Sequence, residues 1–345
     1  MEDNKVDWLG KPYYSLDAYF KHTYGQKIYK IAVDAGLTCP NRDGSIDNRG
    51  CVFCSAGGSG DFAVKIEDTP YSRQYDTRAF TRESSVKLQI ERGMAKFNKR
   101  VGEKFVIYFQ AYTNTYGDID YLRRIWTQAL DEENVVGISI ATRPDCLGLD
   151  TDGWGKMCEG ILPLLSELNK KYSACGKFIW IELGLQTIHE KTAGYIRRGY
   201  PLSVYEDATK SLTDIGIPFI THVILGLPYE DKSMMLDTVR YVCESGASGI
   251  KLQLLHVLKG TDLEKDYCDG VFSVMEMDEY IDLVVDAIGI IPEDIVIHRV
   301  TGDGPKNILV APLWSGNKRV VLNTLHRRLK ERGVKQGGFI STSQA

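Results

Sequence analysis

Three cysteines lie close together in a polar segment near the start of the chain. Cys39, Cys51 and Cys54 are spaced C-x11-C-x2-C in a stretch rich in Gly, Asn and Asp, and no histidine lies nearby to complete a tetrahedral zinc site. Clustered thiolates select zinc or iron–sulfur clusters. A four-iron cluster normally takes four cysteine ligands, so three would leave one iron open. The spacing therefore indicates a metal centre, with an incompletely ligated cluster as one candidate.

The composition is that of an ordinary globular protein. The chain has 345 residues, 43% of them hydrophobic and 26% charged, with a net charge of -4. Its eight cysteines are too few and too scattered for a disulfide scaffold. The first twenty residues contain no apolar signal region, and no run approaches the length of a membrane span. We therefore expect a cytoplasmic protein without membrane association.

Short β-branched or aromatic segments alternate with longer helical patterns along the chain. This order is typical of successive βαβ units and predicts an α/β fold, a partial (β/α)6 barrel with a C-terminal extension. The predicted strands cover residues 27–36, 104–110, 135–143, 177–185, 218–227 and 249–258, with 294–300 as a candidate seventh. The predicted helices lie near residues 81–99, 119–131, 152–171, 189–197 with 203–215, and 231–245.

This pattern divides the chain into three parts. We predict an N-terminal extension over residues 1–26, a barrel core over 27–300 and a C-terminal extension with a basic helix over 301–345. In parallel α/β barrels the chemistry lies at the C-terminal ends of the strands. Because the cysteine segment follows the first predicted strand, we expect all three thiols at that mouth.

Polar side chains follow two other predicted strands. Gln110, Thr113 and Asn114 come at the end of the second strand and offer short donors and acceptors for an ammonium or a carboxylate. On the fourth strand, Glu182 and Gln186 are four residues apart and therefore face the same side, where they suit ribose hydroxyls. These residues extend the predicted site beyond the cysteines.

The motifs together resemble the radical S-adenosylmethionine (SAM) superfamily, and within it the Elp3-like branch. The segment "CVFC" places Phe53 directly before the last cysteine, as the superfamily motif does, and the eleven-residue first gap is similar to that of the Elp3-like branch. The resemblance implies a 4Fe–4S cluster held by Cys39, Cys51 and Cys54, with S-adenosyl-L-methionine bound at its open iron. It also implies SAM contacts from Phe53 in the cysteine segment and from residues in or after the other strands: Gln110, Thr113, Asn114, Glu182, Gln186, Arg198, Ile224 and Gly226.

Four further residues are candidates for catalysis. Arg143 and Asp145 follow the third strand, in "ATRPD", whereas His222 and His256 lie within predicted strands five and six. For the two histidines, a core position satisfied by a neighbour is the commoner alternative. Arg143, or the region of Asp303 and Lys306, would hold a substrate carboxylate through a charge-assisted pair.

The C-terminal segment from His298 to Gly337 resembles a bacterial group of Elp3-like proteins of the YtqA/YhcC type, linked to tRNA wobble-uridine modification as MnmL. The resemblance implies conversion of 5-carboxymethylaminomethyl(-2-thio)uridine to 5-aminomethyl(-2-thio)uridine. Hydrogen abstraction by a 5'-deoxyadenosyl radical, loss of a further electron and hydrolysis of the imine would release glyoxylate. About 87 residues follow the sixth predicted strand, too few for the acetyltransferase domain of Elp3, so removal of a carboxymethyl group is expected rather than its synthesis.

The expected partners are the anticodon loop of tRNA and a reductant such as flavodoxin or ferredoxin. Basic stretches at residues 82–100 and 317–337 would contact phosphates, or would equally be solvated helix faces. One alternative is a radical SAM enzyme acting on a peptide or small metabolite. Another is a non-catalytic, zinc-stabilised nucleic-acid-binding protein whose fourth zinc ligand is Cys146 or Cys175.

Overall fold

Seven parallel strands form one curled sheet. The computed structural model describes residues 8–58, 82–97, 103–149, 158–302 and 304–340. The sheet strands are β1 Tyr29–Val33, β2 Phe105–Phe109, β3 Val135–Thr142, β4 Phe178–Gln186, β5 Phe219–Leu225, β6 Gly249–Leu254 and β8 Val296–Arg299. They pair in the order β1-β2-β3-β4-β5-β6-β8, so β1 and β8 are the edges of a partial barrel. A short antiparallel pair, β7 Val257–Leu258 with β9 Leu309–Ala311, lies beside it.

Helices cover the outside of the sheet. They are α1 Leu16–Tyr24, α2 Arg82–Ala95, α3 Ile119–Asp131, α4 Ile161–Ser173, α5 Glu190–Tyr195, α6 Leu202–Asp214, α7 Lys232–Glu244, α8 Asp262–Cys268, α9 Met277–Ile290 and α10 Lys318–Glu331. In α3 the buried residues recur at helical spacing, and the Asp118 side chain caps the helix by accepting from the Tyr121 amide at 2.8 Å. No helix in the described ranges has the length and apolar character needed to cross a membrane.

The predicted α/β partial barrel is confirmed, and the candidate seventh strand is present as β8. The sixth strand was predicted to run through residue 258, but β6 ends at Leu254. The chain then leaves the parallel sheet, and β7 pairs with β9 in the opposite direction. His256 therefore lies between β6 and β7 and not within strand six. The domain limits at residues 27 and 301 stay a prediction.

The inward face of the sheet changes character along the strands. Near the strand starts the inward side chains are apolar: Val106, Trp180 and Ile220. Two residues further along the same strands, they are the polar side chains of Tyr108, Glu182 and His222, because strand residues alternate with a period of two. The interior thus has an apolar floor with a polar layer directly above it.

A helix that the sequence analysis did not predict closes the apolar floor. The ring of Phe20 in α1 stacks on Trp180 with centroids 5.8 Å apart. The C-terminal segment also contacts this region. The side-chain oxygen of Gln336 accepts from the backbone amide of Tyr14 at 2.8 Å, and the backbone amide of Gln336 donates to the carbonyl of Pro12 at 2.9 Å. The first and last described segments therefore lie together below the sheet.

Candidate active site

The loop after β1 presents all three cysteines to one cavity. The loop is fixed by Asn41, which is fully buried and donates through Nδ2 to the carbonyl of Arg197 at 2.7 Å. A tight turn in which the Cys54 amide donates to the Cys51 carbonyl at 3.0 Å brings the last two cysteines together. The structure thus places Cys39, Cys51 and Cys54 around a common space. Their role as cluster ligands stays a prediction.

The surroundings of the cysteines favour a thiolate at one of them. A hydrogen bond from the Cys54 thiol lowers the pKa of Cys51 to about 6, and the positive charges of Arg143 and Arg197 act in the same direction. Burial raises the pKa of Cys39. Because the thiolate is the metal-binding form, Cys51 is the cysteine best prepared to bind a metal.

The cavity has two adjoining lobes. The cysteine lobe, which contains the three thiols, spans about 810 Å³, part of it open to solvent. The distal lobe, lined by Lys251, His256 and Arg299 among others, spans about 950 Å³, also partly open to solvent. The two lobes share a wall of common lining residues: Phe53, Cys54, Gly58, Tyr108, Gln186 and His222. A ligand bound near the cysteines can therefore meet a second molecule that enters through the distal lobe.

The polar residues after β2 divide between the cavity and the scaffold. Gln110 lines the distal lobe, and Thr113 lines the cysteine lobe, where its hydroxyl hydrogen-bonds Cys39. Asn114 is fully buried and donates through Nδ2 to the carbonyls of Ala111 and Ala141, at 3.1 and 3.0 Å. Asn114 therefore ties the end of β2 to β3, while Gln110 and Thr113 face the space available to a ligand.

Glu182 and Gln186 occupy different environments on β4. The Glu182 carboxylate is fully buried and accepts from Lys30 at 3.0 Å and Ser139 at 2.6 Å through Oε1. Its Oε2 accepts from His222 at 2.8 Å and contacts Lys251. Its carboxylate oxygens are thus engaged by four donors of the protein, although Glu182 also lines the cysteine lobe, and its predicted ribose contact stays a prediction.

Gln186 lies at the end of β4 and faces both lobes. Its φ of 65° is in the left-handed region, which costs energy for a residue other than glycine. Tyr112, which lines the cysteine lobe, has a similar φ of 61°. Backbone strain of this kind is concentrated at functional sites, so both positions support a ligand-binding role for this end of the sheet.

Each of the predicted arginines already has partners in the protein. Arg143 makes two hydrogen bonds to Asp145, at 2.9 and 2.7 Å, and lines the cysteine lobe. Arg198 is buried and donates to Glu190 at 2.8 Å and to the carbonyl of Thr187 at 2.7 Å. Asp145 therefore orients Arg143, whereas Arg198 holds the chain before and after α5 in place. Their predicted roles in catalysis and SAM binding stay predictions.

The two histidines both line the distal lobe. His222 donates to Glu182 and faces the Gln253 amide at 3.2 Å, and burial lowers its pKa to about 4. His256 hydrogen-bonds Ser315 at 3.0 Å. Both line the lobe, so both are close enough to a ligand to act on it. Their catalytic roles stay predictions.

Of the remaining residues predicted to contact SAM, Phe53 and Ile224 line the cavity. Phe53 lines both lobes, and Ile224 lines the distal lobe. Gly226 has a φ of 91°, and a Cβ there would approach the Met275 sulfur to 3.3 Å. The glycine is therefore required by the backbone conformation, and its proximity to adenine stays a prediction.

Sequence reasoning missed the basic residues of the interior. Lys251 and Gln253 both line the distal lobe, and Arg299 pairs in register with Lys251 across β6 and β8. A signal for them existed in the segment "GIKLQLL", where Lys251 and Gln253 alternate with apolar residues and so share one face. The segment was interpreted only as a buried strand.

The cysteine lobe fits an iron–sulfur cluster better than a four-cysteine zinc site. Cys175 follows α4 at the opposite end of the strands, and the Cys146 thiol faces Asp145 and Cys158. Within the described ranges, no three His, Cys, Asp or Glu side chains are grouped closely enough for one metal ion. Three thiols that line one lobe without Cys146 or Cys175 match a cluster with three protein ligands and one open iron better than a four-cysteine zinc site.

The sequence matches the radical SAM superfamily over residues 48–242 and the radical SAM C-terminal domain over residues 247–331. The chain belongs to the radical SAM superfamily. Membership implies a 4Fe–4S cluster and SAM as its cofactors, and the protein is a radical SAM enzyme.

Similar proteins place this radical SAM enzyme in the Elp3-like branch. It is 39% identical to Bacillus subtilis YtqA over 329 residues, covering 95% of this chain and 93% of YtqA. It is 33% identical to Escherichia coli YhcC, covering 90% of each chain. A Methanocaldococcus jannaschii tRNA uridine(34) acetyltransferase is 25% identical over 45% of this chain and 29% of its own. The fold is similar to that of Methanocaldococcus infernus Elp3, with a TM-score of 0.60 and 17% identity over 90% of this chain and 64% of that one.

The basic helix of this radical SAM enzyme is partly neutralised by its neighbour. On α10, Arg328 pairs with Asp278 at 3.0 Å and also contacts Asp282, and Arg332 pairs with Asp286 at 2.6 Å. These aspartates belong to α9. In the other basic stretch, at residues 82–100, residues 98–100 lie outside the described residues. Residue 303, a candidate for binding the substrate carboxylate, also lies outside them.

Proposed function

We propose that this radical SAM enzyme modifies the wobble uridine of tRNA, converting 5-carboxymethylaminomethyl(-2-thio)uridine to 5-aminomethyl(-2-thio)uridine. The observation that carries the proposal is the distal lobe, a space of mixed polar and apolar lining that includes Lys251 and Arg299 and adjoins the cysteine lobe. Such a space suits a nucleobase with an anionic substituent. The relationship to a tRNA uridine(34) acetyltransferase supports the choice of nucleobase.

The proposal gives each lobe a separate task. Cys39, Cys51 and Cys54 would hold the cluster, and Thr113 and Gln186, which line the same lobe, would contact SAM. When bound, the reduced cluster and SAM supply a 5'-deoxyadenosyl radical, with an electron from a flavodoxin or ferredoxin. The residues of the shared wall, such as Phe53 and Tyr108, would exclude water from the space between the lobes.

Access to the distal lobe requires an unstacked base. Enzymes that act on a base take single-stranded or flipped-out nucleotides, and an anticodon loop offers both. On α10, Arg327 is 65% exposed and lies 3.7 Å from Glu331, so its guanidinium reaches solvent. We propose that Arg327 and its exposed neighbours contact tRNA phosphates, whereas Arg328 serves the contact with α9.

An anaerobic assay tests the proposal. The protein is reconstituted with iron and sulfide, given SAM and dithionite, and assayed for 5'-deoxyadenosine with and without tRNA from cells that lack the protein. We expect 5'-deoxyadenosine to rise with that tRNA and a 5-aminomethyluridine nucleoside to appear. Fully modified tRNA is the matched control and should leave the SAM cleavage at its basal rate.

The outcomes separate the competing functions. If tRNA does not change the rate of SAM cleavage, the radical chemistry is supported but the tRNA assignment is refuted. That result would favour a peptide or small metabolite as the substrate. A protein that binds zinc, lacks labile sulfide and cleaves no SAM would refute the enzymatic proposal altogether.

A further inference from the structure

Among the residues that the structure describes, the polar layer and the distal lobe carry more positive than negative charge. Lys30, Lys251 and Arg299 surround or approach the polar layer, and Glu182 is the carboxylate that faces them. The residues that line the distal lobe include Lys251 and Arg299 but no aspartate or glutamate within the described ranges. A buried excess of positive charge is costly unless an anion compensates it.

The nearby histidines do not change this balance. His222 donates through Nε2 to Glu182 and faces the Gln253 amide through Nδ1, a pattern that fits the neutral ring. Burial lowers the pKa of His298 well below its usual value. Both imidazoles are therefore neutral at neutral pH. The charge excess comes from Lys30 and Arg299, with Lys251 protonated in part because burial lowers its pKa to about 7.

Arg299 differs from the other arginines of the cavity. Arg143 is paired with Asp145, Arg198 with Glu190, and Arg42 donates to the carbonyl of Cys54 at 3.0 Å. The Arg299 side chain is half-buried, and its guanidinium makes no hydrogen bond or ion pair with any residue that the structure describes. It also lies directly across the β6–β8 ladder from Lys251, whose Nζ is occupied by Glu182 and Tyr108.

We propose that Arg299, supported by Lys251, binds the carboxylate of the substrate in the distal lobe. The inference rests on the proposed function, and it names the chemical group that the enzyme recognises. A guanidinium binds a carboxylate through two parallel hydrogen bonds and so fixes its orientation. Anchored at Arg299, the substrate extends towards the shared wall and the cysteine lobe, so its reacting methylene faces the cofactors and not the solvent.

Binding measurements test this role without relying on turnover. The probes are two anticodon stem-loop RNAs that differ only at position 34, one with 5-carboxymethylaminomethyluridine and the other with 5-aminomethyluridine. We expect the reconstituted wild-type protein to prefer the carboxylated RNA by about 10-fold to 100-fold, the range of one charge-assisted contact. Arg299→Gln should bring the ratio of dissociation constants close to one, and Arg299→Lys should restore part of it. Arg240→Gln, at an exposed i,i+3 pair on α7, is the matched control and should keep the wild-type ratio.

A second measurement makes the test independent of tRNA. Thermal unfolding is followed with acetate or glycolate, against chloride at the same ionic strength, and we expect a stabilisation that Arg299→Gln abolishes. If the carboxylates stabilise through Arg299 but neither RNA is preferred, the anion site stands and the tRNA assignment fails. If the wild-type preference survives in Arg299→Gln, or neither measurement depends on Arg299, the inference is overturned even if the enzyme modifies tRNA. Folding of the variant is checked by its cluster content, which should equal that of the wild type.

Discussion

Replacing Glu182 with Gln removes a carboxylate that is fully buried and that accepts from two lysines, a serine and a histidine. The amide keeps the shape of the side chain but leaves Lys30 and Lys251 without their counter-charge. Breaking a buried ion pair by removing one partner costs about 3–5 kcal/mol. That loss is a large share of a typical stability of about 5–15 kcal/mol, so we expect a folded but strongly weakened protein.

The size of the loss should depend on pH. Burial lowers the pKa of Lys251 from 10.5 to about 7, and the attraction of Glu182 keeps it from falling further. The attraction therefore stabilises the fold below about pH 7 and is lost as the pH rises through this value. We expect the deficit of Glu182→Gln to be larger at pH 6 than at pH 8.5.

Urea unfolding under anaerobic conditions measures this deficit, with tryptophan fluorescence and circular dichroism as two probes of one transition. Glu167→Gln is the matched control, since Glu167 forms an exposed pair with Arg123 on the helix surface and should contribute little. A Glu182→Gln deficit as small as that of the control, or equal at both pH values, would refute the buried charge network.

Three further predictions concern the cysteines, the histidines and the basic helix. Cys51→Ser should lose cluster iron and SAM cleavage, whereas Cys175→Ser should keep both, as iron analysis and 5'-deoxyadenosine assays will show. Because the pKa of His222 is lowered to about 4, the unfolded chain binds more protons below pH 6.5. The free energy of unfolding should therefore fall as the pH drops from 6.5 to about 4. His222→Gln should reduce the slope of this free energy against pH by up to one proton, and an unchanged slope would contradict a buried neutral His222. Arg327→Ala should weaken tRNA binding and lower the salt dependence of that binding by about one released counterion. Arg328→Ala should instead lower the melting temperature of the protein. Equal effects of both variants on tRNA affinity would contradict these separate roles.

The sequence predicts the sheet well because each strand is a short apolar segment between polar turns. It also predicts that Cys39, Cys51 and Cys54 meet, since a loop after a parallel strand opens at the mouth of the barrel. The pairing of Arg328 with Asp278 and Asp282 could not be predicted in this way. That contact depends on how α9 and α10 pack, and a single sequence does not indicate which helices contact each other.

The basic residues of the interior are not predicted from the sequence for a different reason. Lys251 is a charged residue in an apolar strand, and its local pattern predicts only that it faces inward together with Gln253. Its counter-charge, Glu182, lies two strands away in the sheet, and Arg299 lies across the next ladder. Their convergence follows from the closure of the sheet, which hydrophobic periodicity does not describe.

The junction between Gln336 and Tyr14 joins positions 322 residues apart, and this has a consequence for biosynthesis. α1 is among the first segments to leave the ribosome, but the side chain that anchors the residues before it is made near the end of translation. At about 5–20 residues per second, α1 waits roughly 15–60 s for that partner. Phe20 can stack on Trp180 only after Trp180 has been made, and the segment before α1 lacks its C-terminal hydrogen bonds until Gln336 follows. A nascent chain stalled before residue 336 should therefore be cut by protease near α1, and one extended beyond it should be protected.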